Sequence, residues 1–216
     1  MLKKRVCCYI DGFNIYHAID DVNRAQRGAL SHLKWLNLRA LMCQFIDPNV
    51  HDVLDVNYFS AYTTWHPDRE ARHRQYVAAL DYVGVNAVMG QFKKKDAYCK
   101  NCKTTYTARE EKESDVNIAT YLISDAYDDK FDQAFLVTND SDLLGPVRLV
   151  RARFPKKGLK MIAPPFRRHS KELWALATHR TQIQQPHLEA CRLPETAQAE
   201  DGTVKFTCPP EYALKT

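Results

Sequence analysis

Two continuous apolar runs stand out along the chain, Val6 to Ile10 and Phe135 to Val137, and each stops abruptly at polar residues. Runs of that length, unbroken by polar positions and closed by an elbow, predict strands buried on both faces. The first passes through Asp11-Gly12-Phe13-Asn14 into a helix from Ile15 to about Val22, then a polar loop over residues 23–32. Trp35, Leu36, Leu38, Leu41, Met42 and Phe45 follow at helical spacing until Pro48. Val56, Tyr58, Phe59 and Tyr62 mark a second strand over 53–62, and Pro67-Asp68 opens a helix with Tyr76, Val77, Leu80 and Val83 inward. A third strand is predicted over 85–92 and a helix over 110–127, whose residues Ala119, Leu122, Ile123 and Ala126 fall on the side of Asp115. Strand 134–138, helix 142–153, strand 158–163 and a short helix over 171–177 complete the pattern. Strands alternating with helices argue for an α/β fold with a mainly parallel sheet covered on both faces, a three-layer α/β/α sandwich. Beyond about residue 180 the periodicity ends among Pro186, Pro194, Pro209 and Pro210, which predicts a tail over 181–216 that is packed on the body or partly disordered.

Composition narrows the class. The chain has 216 residues, 45% of them apolar and 26% charged, which is ordinary for a globular protein with a proper core. No apolar run approaches the roughly 18 residues of a membrane span. Lys3-Lys4-Arg5 precedes an apolar run too short for a signal peptide, so a cytoplasmic location is expected. Seven cysteines is an odd count, and a disulfide framework is not expected. Cys7, Cys8 and Cys43 lie in apolar patterns as small core residues.

The elbows carry the candidate chemistry. Asp140 and Asp142 sit two residues apart at the carboxyl end of a strand, where open α/β sheets bind ligands. Asp11 occupies the same place after the first strand. Glu111 and Asp115 are four residues apart, so in a helix they share a face, where like charges cost about 0.2–0.5 kcal/mol unless a cation lies between them. Capping explains one acid at an elbow and not the set.

The ordered motifs Asp11-Gly12-Phe13-Asn14, Glu111-Lys112-x-x-Asp115 and Thr138-Asn139-Asp140-Ser141-Asp142 resemble the NYN branch of the PIN-like nuclease superfamily. The likeness covers roughly residues 5–180, and a nuclease domain over 1–180 is expected with residues 93–109 as an insertion. Thr138-Asn139 stands where family members more often carry Ser-Gly. The resemblance implies a five-stranded sheet in the order 3-2-1-4-5, with Asp11 beside Asp140, and a metal-dependent ribonuclease that cuts RNA internally. A nuclease or phosphatase acting on DNA or nucleotides, and a catalytically weak RNA-binding regulatory module, are the alternatives.

An oxygen-only carboxylate set without a partnered histidine favours a hard cation, Mg²⁺ or Mn²⁺. Asp11, Asp115 and Asp140 are the candidate ligands, and Asp142 is a ligand or orients the attacking water. Glu111 is a ligand to a second ion, a support for the first, or a solvated acid. Asn14 holds a phosphate oxygen, orders Asp11, or bonds its own turn; Ser141 reaches the substrate or caps a helix; Lys112 contacts phosphate or water. Cys99-x-x-Cys102 supplies half of a four-ligand Zn²⁺ site, to be completed by Cys191 and Cys208 or by a second copy in a homodimer; otherwise it is a reducible pair. The net charge of +5 leaves basic groups at residues 93–109, 148–157 and 167–169 to meet a polyanion. Phe13, Tyr62 and Trp65 lie near strand exits where unpaired bases could stack, with core packing as the alternative for Phe13.

Overall fold

A computed structural model describes residues 2–214. The elements run β1 (Lys4–Asp11), α1 (Gly12–Ala25), α2 (Leu38–Cys43), β2 (His51–Ala61), α3 (Pro67–Tyr82), β3 (Asn86–Cys99), β4 (Thr104–Lys112), α4 (Ser114–Tyr127), β5 (Gln133–Val137), α5 (Leu144–Arg153), β6 (Gly158–Ala163), α6 (Lys171–Leu176), β7 (His179–Gln182), α7 (Gln185–Glu189), β8 (Thr196–Gln198) and β9 (Val204–Thr207). Seven strands form the main sheet in the order β4-β3-β2-β1-β5-β6-β7. All neighbours are parallel except β3 and β4, which pair antiparallel. Count and order therefore differ from the expected five strands: the predicted 3-2-1-4-5 arrangement corresponds to β3-β2-β1-β5-β6, and a strand is added at each edge.

The pleat sorts β1 between two cores, because successive side chains point to opposite faces. Val6, Cys8 and Ile10 join a core with Leu33, Trp35 and Leu80, under α1, α2 and α3. Cys7 and Tyr9 face Ile118, Leu122 and Val147, under α4 and α5. Both faces are dry, which explains why this strand reads as an unbroken apolar run.

Three sequence expectations are corrected. The stretch after residue 92 continues as a two-stranded arm, with Lys93 opposite Glu110 and Cys99 opposite Thr104. Both faces of its tip are solvated, so no apolar alternation marks it as strand. The helix expected from 110 begins at Ser114; Glu110 to Lys112 belong to β4, and Glu113 turns the chain with a left-handed φ of 85°. The helix expected from Trp35 to Phe45 is a 3₁₀ turn over Ser31–Lys34 followed by the six residues of α2, while α1 runs on to Ala25.

After β7 the chain packs on the α1/α3 face. Ile183, Leu188, Leu193 and Phe206 are buried in that core. Phe206 meets Trp35 with ring centroids 6.0 Å apart, and the Trp35 indole donates to the Pro194 carbonyl at 3.0 Å. Among the described residues no helix is long and apolar enough to cross a membrane.

Candidate active site

The carboxyl ends of β1 and β5 lie side by side, Ile10 opposite Val137, and the two elbows are tied together by short polar side chains. Asp11 is the N-cap of α1 and accepts from the Asn14 amide N–H at 3.0 Å. Its carboxylate also accepts from Asn14 Nδ2 and, at 3.1 Å, from the Thr138 hydroxyl. Thr138 in turn accepts from the Asp140 amide at 3.0 Å, and Asn14 Oδ1 accepts from the Asn139 amide at 3.2 Å. The Asn139 side chain donates to the Arg168 carbonyl at 2.8 Å and accepts from the Ser170 amide at 3.2 Å. The two residues that depart from the more common Ser-Gly thus brace both elbows and the loop after β6.

Asp140 caps the 3₁₀ turn Ser141–Leu143, accepting from the Asp142 amide at 2.9 Å. Asp115, in the first turn of α4, meets it across the cleft, and carboxylate oxygens of Asp115, Asp140 and Asp142 all lie within 4.8 Å of one another. Burial pushes the Asp115 carboxyl up to about 6, helped by the charges of Asp140, Glu111 and Asp142. Asp11 is 3% exposed, and burial pushes it up to about 6 against the pull of its hydrogen-bond donors.

Glu111 reaches the site from β4 and not from a helix face. Its carboxylate accepts from the Ser114 amide at 3.1 Å and the Ser114 hydroxyl at 2.6 Å, closing the start of α4. Gly90 on the neighbouring strand makes this possible: a Cβ there would lie 2.6 Å from the Lys112 carbonyl and 3.2 Å from Glu111 Oε1. Asp11, Asn14, Glu111, Asp115 and Asp140 line one cleft of about 340 Å³, with Phe13, His17, Phe92, Arg109 and Ser114. Lys112 and Ser141 stay outside it: Lys112 pairs with Glu110 at 2.8 Å, and Ser141 is exposed, the cap being Asp140. Arg109, His17 and Phe92 are cleft residues that the motifs did not single out. His17 was findable, because three and four residues after Asn14 and Phe13 a helix returns to the same face.

The donor set fits a hard divalent cation. It offers three mutually close carboxylates, all oxygen donors, and burial holds two of the cleft acids above their ordinary range, which a cation would offset. Cys99 and Cys102 lie at the arm's tip, and neither Cys191 nor Cys208, both buried in the opposite core, joins them in a metal-ligand group among the described residues.

The protein is a mainly parallel α/β domain in which acids from the ends of β1 and β5 and from the start of α4 converge, and the Asp115–Asp140–Asp142 group could hold a divalent metal ion. The NYN domain model matches residues 5–181, and the chain belongs to that family. It is 24% identical, over 94% of its own length and 74% of the relative's, to 6-hydroxy-3-succinoylpyridine 3-monooxygenase HspA of Pseudomonas putida (strain DSM 28022 / S16). Its fold is similar to that of a solved protein of unknown function from Vibrio parahaemolyticus RIMD 2210633, with a TM-score of 0.60, 18% identity, and coverage of 85% of this chain and 94% of that one.

Proposed function

We propose that the chain is a divalent-metal-dependent ribonuclease that hydrolyses phosphodiester bonds within RNA. The observation that carries the reading is the Asp115–Asp140–Asp142 cluster in a NYN domain. Mg²⁺ or Mn²⁺ would be held by these three with Asp11, and when bound would acidify a water and draw in a phosphate oxygen. Asp11 stands at the floor of the cleft, its orientation fixed by Asn14 and Thr138. Asp142, the most exposed of the three clustered acids, orients the attacking water and receives its proton. Glu111 fixes the start of α4 and with it the direction of Asp115. Arg109, stacked over Trp65 at 4.4 Å, supplies positive charge at the cleft wall for the phosphate.

Single-stranded RNA is expected to be cut in Mn²⁺ or Mg²⁺ and spared in EDTA. The same ions should stabilise the fold through linkage by about 2.7 kcal/mol at a hundred times Kd, read as a raised melting temperature. Asp115→Asn and Asp140→Asn should each remove cleavage and the thermal shift while keeping the fold. Cleavage at the wild-type rate by both variants overturns the reading.

A second reading rests on the relative named for a monooxygenase acting on a substituted pyridine, together with an aromatic chamber beside the acids. It would place a small aromatic substrate there. Turnover of 6-hydroxy-3-succinoylpyridine, with no RNA cleavage in any divalent ion, would select it.

A further inference from the structure

A second cavity of about 310 Å³ opens next to the acidic cleft, between α1, the end of β2 and α3. Phe13, His17 and Phe92 line both, and the consecutive residues Asp11 and Gly12 face one each. We propose that this chamber receives one unpaired nucleobase of the RNA, adjoining the phosphate held at the acids; the proposal rests on the ribonuclease reading above.

Four observations carry it. The walls are aromatic: Trp65 and Phe92 meet edge to face at 4.8 Å, and Tyr58 and Tyr76 at 5.8 Å. Rings of this kind stack on a base of any sequence. The size lies at the small end of ligand pockets, roughly 300–1,000 Å³, which suits one ring and its sugar but not a longer segment. The charge suits a neutral ring: of the three lining cations, Lys34 and Arg72 are each paired, with Asp20 and Glu211, and only the exposed Arg69 is left for a phosphate. Arg69, which lines the chamber yet is exposed and without an acidic partner among the described residues, can meet the RNA backbone where it enters. Finally, the chamber has a polar edge, where the Tyr58 hydroxyl and His73 Nε2 lie 3.1 Å apart and can meet the hydrogen-bonding edge of a base.

One wall comes from beyond the family-matched residues. Tyr212 lines the chamber, anchored by the Arg72–Glu211 pair at 2.9 Å and by Arg192, whose guanidinium donates to the Tyr212 carbonyl at 3.0 Å. Base selection is thus assigned partly to a segment after residue 181, where the family match ends.

Two measurements test this. Calorimetric titration with the four nucleoside 5′-monophosphates in EDTA should show binding, weakened roughly 5- to 150-fold by Trp65→Ala or Tyr212→Ala, the span that loss of a base stack predicts. Tyr212→Phe should keep it, and the four nucleosides lacking the phosphate should compete for the same site. With the wild type and metal, an RNA carrying one abasic position should lose its cut beside that position and keep the others. Nucleotide binding with no cleavage in any metal supports the chamber and sinks the ribonuclease reading instead. Cleavage that ignores the abasic position, or nucleotide binding unchanged in both Trp65→Ala and Tyr212→Ala, overturns the chamber.

Discussion

Replacing Thr138 by valine removes one hydroxyl and little volume, yet the hydroxyl joins both acidic elbows. It donates to Asp11 at 3.1 Å and accepts from the Asp140 amide at 3.0 Å, at a side chain 4% exposed. A hydrogen bond to a buried charge contributes about 1.5–3 kcal/mol and an amide bond about 0.5–1.5 kcal/mol, so metal-free Thr138→Val should lose about 2–4 kcal/mol at pH 7.5. The loss must depend on pH. Burial holds Asp11 at about 6, so at pH 5 it is largely protonated and needs the donor less. The sign follows: removing a donor to the ionised form raises the Asp11 pKa further, and the destabilisation shrinks as pH falls through 6. Thr138→Ser keeps the hydroxyl and should lose under about 1 kcal/mol at either pH. Urea denaturation of the three proteins in EDTA, at pH 5 and 7.5, measures this directly. An equal loss for Thr138→Val at both pH values, or a loss below about 0.5 kcal/mol at pH 7.5, refutes the bridging role.

Gly12→Ala should cost about 1–3 kcal/mol or more by thermal denaturation, since its Cβ would fall 2.4 Å from Tyr58 Cε2 and 2.8 Å from the Phe59 carbonyl; a shift under 0.5 kcal/mol, roughly the scatter of surface changes, contradicts that contact. Burial lowers the half-buried His73 to about 4, so the unfolded chain takes up its proton first and stability falls as pH drops from about 6.5 to 4, by at most ~3 kcal/mol before solvent screening. Asp11 acts oppositely in that window, so the comparison is wild type minus His73→Gln, and a flat difference curve rules the effect out. Hydrogen bonds from Thr104 and Cys99 lower the Cys102 pKa while burial raises Cys8, so pulse alkylation at pH 7.5 should label Cys102 first and Cys8 last.

β1, β5 and their elbows were legible in the order of residues, because strands buried on both faces must be apolar throughout and a site at their ends must break that run. That order likewise placed Asp11, Asp140 and Asp142 beyond those breaks, where chain direction alone sends them to one edge of a parallel sheet. Glu111 and Asp115 were paired by helical spacing, but tertiary structure decides their meeting: a strand, a left-handed Glu113 and a helix start bring them together, and no periodicity encodes that turn. The arm after residue 92, as far as Lys112, left no apolar signature, because neither face of its tip covers a core. Residues after 181 were illegible for the opposite reason. Elements of three to five residues cannot set a period, and Phe206 is buried only because Trp35, some 170 positions earlier, packs against it. The chamber belongs wholly to tertiary structure: Gly12, Tyr58, Phe92 and Tyr212 share no local pattern, and only the fold makes them neighbours.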